Sequence, residues 1–176
     1  MRPDEQVAGT ATDPIAAEGQ VPAAVRALIG VENVRRCDVT TRDIRRFAQA
    51  IGSADRVHFD EAYARTTRHG GIVAPPLFCQ SLTYDEVTAD LLPADGSPVE
   101  LDVPLPARRT VGGSSDYTVH RLVRAGETIT VTSTIRDVYA RQGRSGRLWM
   151  VVVETRFDDA GGAPVACEVA TYIKRA

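Results

Sequence analysis

Few side chains in this sequence can move a proton near neutral pH, and they are unevenly spread. There are three histidines, His58, His69 and His120, and three cysteines, Cys37, Cys79 and Cys167. His58 lies in a short polar loop, GSADRVHF, that follows an amphipathic stretch, and Ser53 and Asp55 precede it in the same loop. An imidazole titrates at about 6.5 when unperturbed, so it can both take and give a proton in water. A serine hydroxyl can only hydrogen-bond there, whereas an aspartate can orient an imidazole or share its proton work. On loop composition alone His58 reads as a surface or capping residue. His69 sits beside Gly70-Gly71, as a helix-end residue does, and His120 beside Arg121 in a strand-like stretch, so neither is a catalytic candidate. The cysteines are odd in number and widely spaced, which describes reduced thiols and neither a disulfide framework nor a zinc site. No metal is expected.

The elements that must hold this loop can be read on either side of it. PAAVRALIG from Pro22 has proline at its start and glycine at its end, the asymmetry of a short helix, and Val31 to Val39 reads as a strand. Thr40 or Thr41 caps a helix through Ala50, in which Ile44, Phe47, Ala48 and Ile51 recur at helical steps before Gly52. EAYARTT is a further short helix ended by Gly70-Gly71. LFCQSLTYDEVTADLL, entered through Pro75-Pro76, reads as a buried central helix. Beyond the Pro-rich connection 93–106 the sequence becomes β-branched and turn-punctuated, with strands expected at 108–123, 127–139, 148–157 and 164–174. The first of these should bend at Gly112-Gly113. The glycine-containing turns at 124–126, 142–146 and 158–162 favour antiparallel neighbours.

A strand, several helices and then long antiparallel strands make an α+β plan, in which a curved antiparallel sheet must wrap one central helix. With 176 residues, 43% of them hydrophobic and 25% charged, the chain supports one packed domain, expected over 21–176 after a flexible leader, 1–20, that has no apolar period. The net charge of −2 supplies no basic field for nucleic acid. No run is apolar enough to span a membrane and the N-terminus lacks a signal-like pattern, so a cytoplasmic location is expected.

Three ordered segments, IRRFAQAIGSADRVHFDEAYA at 44–64, GGIVAPPLF at 70–78 and VGGSSDYTVHRLVRAGETITVTSTIRDVYARQGRSGRLWMVVVETRF at 111–157, resemble the MaoC-like hydratase/dehydratase family. The likeness is to (R)-specific enoyl-thioester hydratases and to the subunits of heterodimeric hydroxyacyl dehydratases, and it implies a single hotdog fold. In active members, as the resemblance implies, Gly-Asp-x-Asn-Pro-x-His follows the first long helix. Here Gly52, Ser53, Asp55, Arg56 and His58 fall on its Gly, Asp, Asn, Pro and His, so the histidine matches and the carboxylate does not. The family's His-Gly at the start of the central helix, whose amides serve the thioester oxygen, corresponds to Ala74-Pro75-Pro76, where proline has no N–H to give.

The resemblance implies a (R)-specific hydratase or dehydratase of a 3-hydroxyacyl or 2-enoyl thioester, carried on coenzyme A or an acyl carrier protein. His58 would be a tunnel-facing acid–base residue and Asp55 its helper. Ser53, Ile72, Val73, Ala74, Pro76, Leu77, Phe78, Gly112 and Gly113 would line the substrate. It implies no cofactor beyond the coenzyme A or phosphopantetheine of the substrate itself, and a homodimer or a heterodimer with a second hotdog. Arg108, Arg109, Arg121 and Arg124 are candidates for its phosphates. Two other readings stand beside this one. The chain is a non-catalytic subunit that shapes the acyl tunnel of a partner, or it is a thioesterase that uses Asp85 or Glu86 to activate water.

Overall fold

The computed structural model describes residues 20–84, 87–91, 103–107, 109–144 and 146–175. The expected leader up to residue 19, the Asp85-Glu86 pair, Arg108 and residues 93–102 of the Pro-rich connection lie outside them.

Turn chemistry and strand alternation build the second half. Strands β2 (Arg109–Val119), β3 (Thr128–Gly143), β4 (Gly146–Asp158) and β5 (Pro164–Arg175) follow in order, and β1 (Glu32–Asp38) comes from the N-terminal half. They form one five-stranded antiparallel sheet in the order β1-β3-β4-β5-β2. Gly143 pairs with Gly146, so two residues close the β3–β4 hairpin. The expected bend is a bulge between Gly112 and Ser114. A Cβ at Gly113 would meet the Thr171 carbonyl oxygen at 2.8 Å, so only glycine lets the strands approach there.

β4 alternates buried and more open residues without interruption from Trp149 to Phe157, which assigns Trp149, Val151, Val153, Thr155 and Phe157 to one face. Two apolar clusters lie end to end along it. The first joins Phe157, Ile129, Val131 and Val165 to Ile44, Ala64, Val73 and Phe78; the second joins Trp149, Val151, Val153 and Val138 to Val25, Val103 and Leu105. The other face carries ion pairs such as Arg136–Glu154 at 2.6 Å and Arg156–Glu32 at 3.3 Å.

The helices covering this face are short. α1 spans Ala23–Arg26, α2 Thr41–Ala50 and α3 Glu61–Thr66. Thr40 and Asp43 form a reciprocal capping box at the start of α2. At its end Gly52, with φ of 71°, directs its own N–H to Gln49 and that of Ser53 to Ala48.

The expected central helix over 77–92 is not one helix. Phe78–Thr83 is a six-residue 3-10 turn, Tyr84 is extended, and a second 3-10 turn covers Ala89–Leu91. Side chains compete with the backbone here. Ser81 Oγ donates to the Phe78 carbonyl at 2.6 Å, and Thr83 Oγ1 to that of Gln80 at 2.8 Å. Arg35 of β1 takes the carbonyls of Leu82 and Thr83, at 3.1 and 2.6 Å, which a continuing helix would need.

Candidate active site

The loop that leaves α2 turns inward as a 3-10 turn, Arg56–His58. It buries His58 to 6% exposure. Nδ1 of the ring lies 2.7 Å from the Val73 carbonyl oxygen. A carbonyl only accepts, so Nδ1 carries the hydrogen and the lone pair of the neutral ring sits on Nε2. Val73 is itself fixed, with Ala74 N–H donating to Val123 O at 2.8 Å and Ala125 N–H to Ile72 O at 3.2 Å.

The other expected site residues divide. Ile72, Val73, Ala74 and Phe78 are buried in the same cluster as Val57, the neighbour of His58, while Pro76 and Leu77 are exposed beside them. The Phe78 amide is committed to Pro75 O at 3.0 Å. The Leu77 amide makes no hydrogen bond among the described residues, so it is an open donor beside prolines that offer none. Ser53 is half-buried, and its hydroxyl lies 3.4 Å from the Asp55 amide. Asp55 is exposed and does not meet His58 through its side chain. Its carboxylate accepts the Val57 N–H at 3.0 Å as the cap of the 3-10 turn. Gly112 pairs with Tyr172, which packs against the second cluster, so the glycine pair is not brought to His58.

Two hollows open near these elements. A groove of about 610 Å³ beside β1 has Phe47, Phe78 and Leu82 in its wall and Arg36, Asp38, Asp43 and Arg46 around it. A hollow of about 630 Å³ has Val73 and Pro76 in its wall. Neither of these two has His58 in its wall.

Sequence reasoning missed a buried carboxylate. Glu168 of β5 is 7% exposed and receives Ser115 Oγ at 2.5 Å and Gln80 Nε2 at 2.9 Å. It belongs to a cross-strand row, Ser133, Thr155, Glu168 and Tyr117, that runs between the two apolar clusters. Tyr117's hydroxyl is buried with no nitrogen or oxygen partner and faces the Cys79 thiol. Burial, above all, pushes that thiol up to about 11 and holds the phenol far above its ordinary range. Among the described residues no group of His, Cys, Asp and Glu is placed to hold a metal ion, and no helix is long and apolar enough to cross a membrane.

The geometry has parallels. Residues 27–168 match the model of the FAS1-like, dehydratase domain region. A UPF0336 protein of Clavibacter michiganensis subsp. michiganensis is 32% identical over 162 residues, covering 90% of this chain and 93% of that one. One of Streptomyces griseus is 33% identical over 144 residues, covering 79% and 85%. Among solved structures, the R-hydratase PhaJ1 from Pseudomonas aeruginosa superimposes with a TM-score of 0.60 at 20% identity, covering 84% of this chain and 81% of that one. The C-terminally truncated HadBC (3R-hydroxyacyl-ACP dehydratase) complex from Mycobacterium tuberculosis gives 0.63 at 22%, covering 83% and 96%. At these identities the structural likeness carries the fold. With the family match, the sheet order and the three sequence segments in agreement, the chain belongs to the FAS1-like dehydratase-region family and has the hotdog fold of the MaoC-like dehydratases.

Proposed function

We propose that this protein is a (R)-specific hydratase or dehydratase of a 3-hydroxyacyl or 2-enoyl thioester, with His58 as its acid–base residue. The observation that carries the reading is the 2.7 Å bond from His58 Nδ1 to Val73 O in a buried setting. It fixes the ring's orientation and tautomer and leaves Nε2 to exchange a proton with water or with the substrate hydroxyl. Hydration joins water's oxygen to C3 of the enoyl thioester and a proton to C2, and the reverse reaction returns both. The open Leu77 amide, in the segment that follows Val73, is the candidate donor to the thioester oxygen as negative charge builds on it.

A short enoyl-CoA offered to the purified chain tests this by loss of the conjugated thioester absorbance. Turnover is expected, and His58→Ala should lower kcat by at least a hundredfold. Activity unchanged in His58→Ala would remove the ring from the mechanism.

A second reading has its own observation. Serine stands where the family pattern has aspartate, and the Asp55 carboxylate is occupied by the Val57 amide. Both favour a non-catalytic hotdog subunit that shapes the acyl channel of a partner, and the closed surroundings of His58 fit a channel that two chains complete. A chain inert alone but active with a second hotdog subunit would establish that reading.

A further inference from the structure

The hollow beside Val73 is walled by basic side chains. Arg68, His69, Arg121 and Arg124 line its side of the molecule, and Glu127 is the one acidic residue in the same wall. Arg121 is shared between two carboxylates, its Nη1 2.9 Å from Glu127 Oε2 and its Nη2 3.1 Å from Asp159 Oδ2. Arg68 and Arg124 are different. Neither guanidinium has an acidic partner among the described residues, and both are exposed. The groove beside β1 likewise carries Arg35, Arg36 and Arg46 against Asp38 and Asp43, so basic side chains outnumber acidic ones at both hollows.

The basic side chains beside Val73 also sit on a rigid frame. Val73 and Arg124 form an antiparallel β-bridge, and Glu127 Oε2 accepts the Arg124 amide at 3.2 Å. Arg68 Nε points at His69 Nε2 at 3.4 Å, so a neutral His69 accepting there turns a second donor, Nδ1–H, elsewhere. Planar guanidinium forks held on fixed backbone match phosphate oxygens, and each such charge-assisted contact is worth about tenfold in affinity.

We propose that Arg68 and Arg124, with His69 beside Arg68, form a binding site for the phosphate or pyrophosphate at the end of the substrate's pantetheine arm. The inference rests on the thioester reading above, and it places the anion in the hollow lined by Val73, the residue whose carbonyl meets His58. It selects Arg124 from the four arginines that sequence reasoning offered, and adds Arg68 and His69, which that reasoning passed over.

Isothermal titration of the whole chain with coenzyme A, 4′-phosphopantetheine and inorganic pyrophosphate tests it. Coenzyme A and phosphopantetheine should bind, and Arg68→Gln/Arg124→Gln should weaken both by about a hundredfold while the unfolding midpoint stays put, since both side chains are exposed. Coenzyme A binding alone, without phosphopantetheine, would assign the site to the nucleotide end of a free cofactor. Binding of both would assign it to the phosphate shared with a carrier protein. Undiminished binding in the double variant, no binding to the wild type at millimolar concentration, or pyrophosphate binding as tightly as either arm-bearing ligand would overturn the proposal. Hydration is read separately. A chain that binds coenzyme A through these arginines yet never hydrates an enoyl thioester keeps the site and loses the hydratase reading, and an active chain indifferent to both arginines does the reverse.

Discussion

The two apolar clusters on the covered face of the sheet are built from the same strands, yet they lie under different covers. At one end Phe157, Ile129 and Val131 meet α2, α3 and the 72–79 segment, which bring His58, the open Leu77 amide and the cationic hollow. At the other end Trp149, Val151 and Val153 meet α1 and residues 103 and 105, and no catalytic candidate joins them. Burial per residue is alike at the two ends, so hydrophobic energy alone does not mark the site. What differs is the covering backbone. Short helices and 3-10 turns leave polar groups that need partners, and the proposed site is drawn from those groups.

That contrast can be broken in graded steps. Truncation of Phe157 or Trp149 to alanine should each cost about 3–5 kcal/mol in urea unfolding, because both are buried large side chains. If the ends are functionally distinct, only Phe157→Ala should also depress turnover per folded molecule. Equal losses of turnover would erase the distinction. At the seam between the clusters, Glu168→Ala strands the donors of Ser115 and Gln80 and should cost about 1–3 kcal/mol, with Glu168→Gln milder because its amide oxygen still accepts. A Glu168→Ala protein as stable as wild type would show the row to be spectator polarity. A further step concerns pH. The Cys79 thiol is raised from its ordinary 9.0 to about 11, so the unfolded chain releases this proton first and the folded state loses stability as pH climbs from 9 to 11. Cys79→Ala should flatten that part of the stability profile, and parallel profiles would refute the assignment.

The sheet was legible because its signals are local. Glycine-bearing turns and β-branched runs located four strands, and Gly112-Gly113 located the bulge. α2 was legible for the same reason, since its cap and its glycine stop are both in sequence reach. The 77–92 segment was not. Its apolar spacing is helical, but Ser81 and Thr83 bond backward to their own chain and Arg35, more than forty residues away, takes the end carbonyls. Glu168 was hidden by alternation. Within VACEVA, Val165 and Ala166 are both buried beside the register shift at the start of β5, and from there Glu168 and Ala170 stay buried while Val169 is exposed. Of the site, His58 was found through its place in a family pattern, and its partner Val73 entered as a lining residue with no bond foreseen. The Asp55 carboxylate is on the Val57 amide and not on the ring because a loop aspartate two residues before an amide readily caps it.

The strand order carries a temporal consequence. β3, β4 and β5 follow one another in sequence and pair as a meander, whereas β1 must wait for β3 and β2 for β5. On a growing chain, α2 and the His58 turn therefore emerge with their apolar sides uncovered long before Ile129, Val131 and Phe157 are made. The segment that bears His58 spends synthesis as the sticky part of an unfinished protein, and a chaperone that shields it should raise the yield of native molecules.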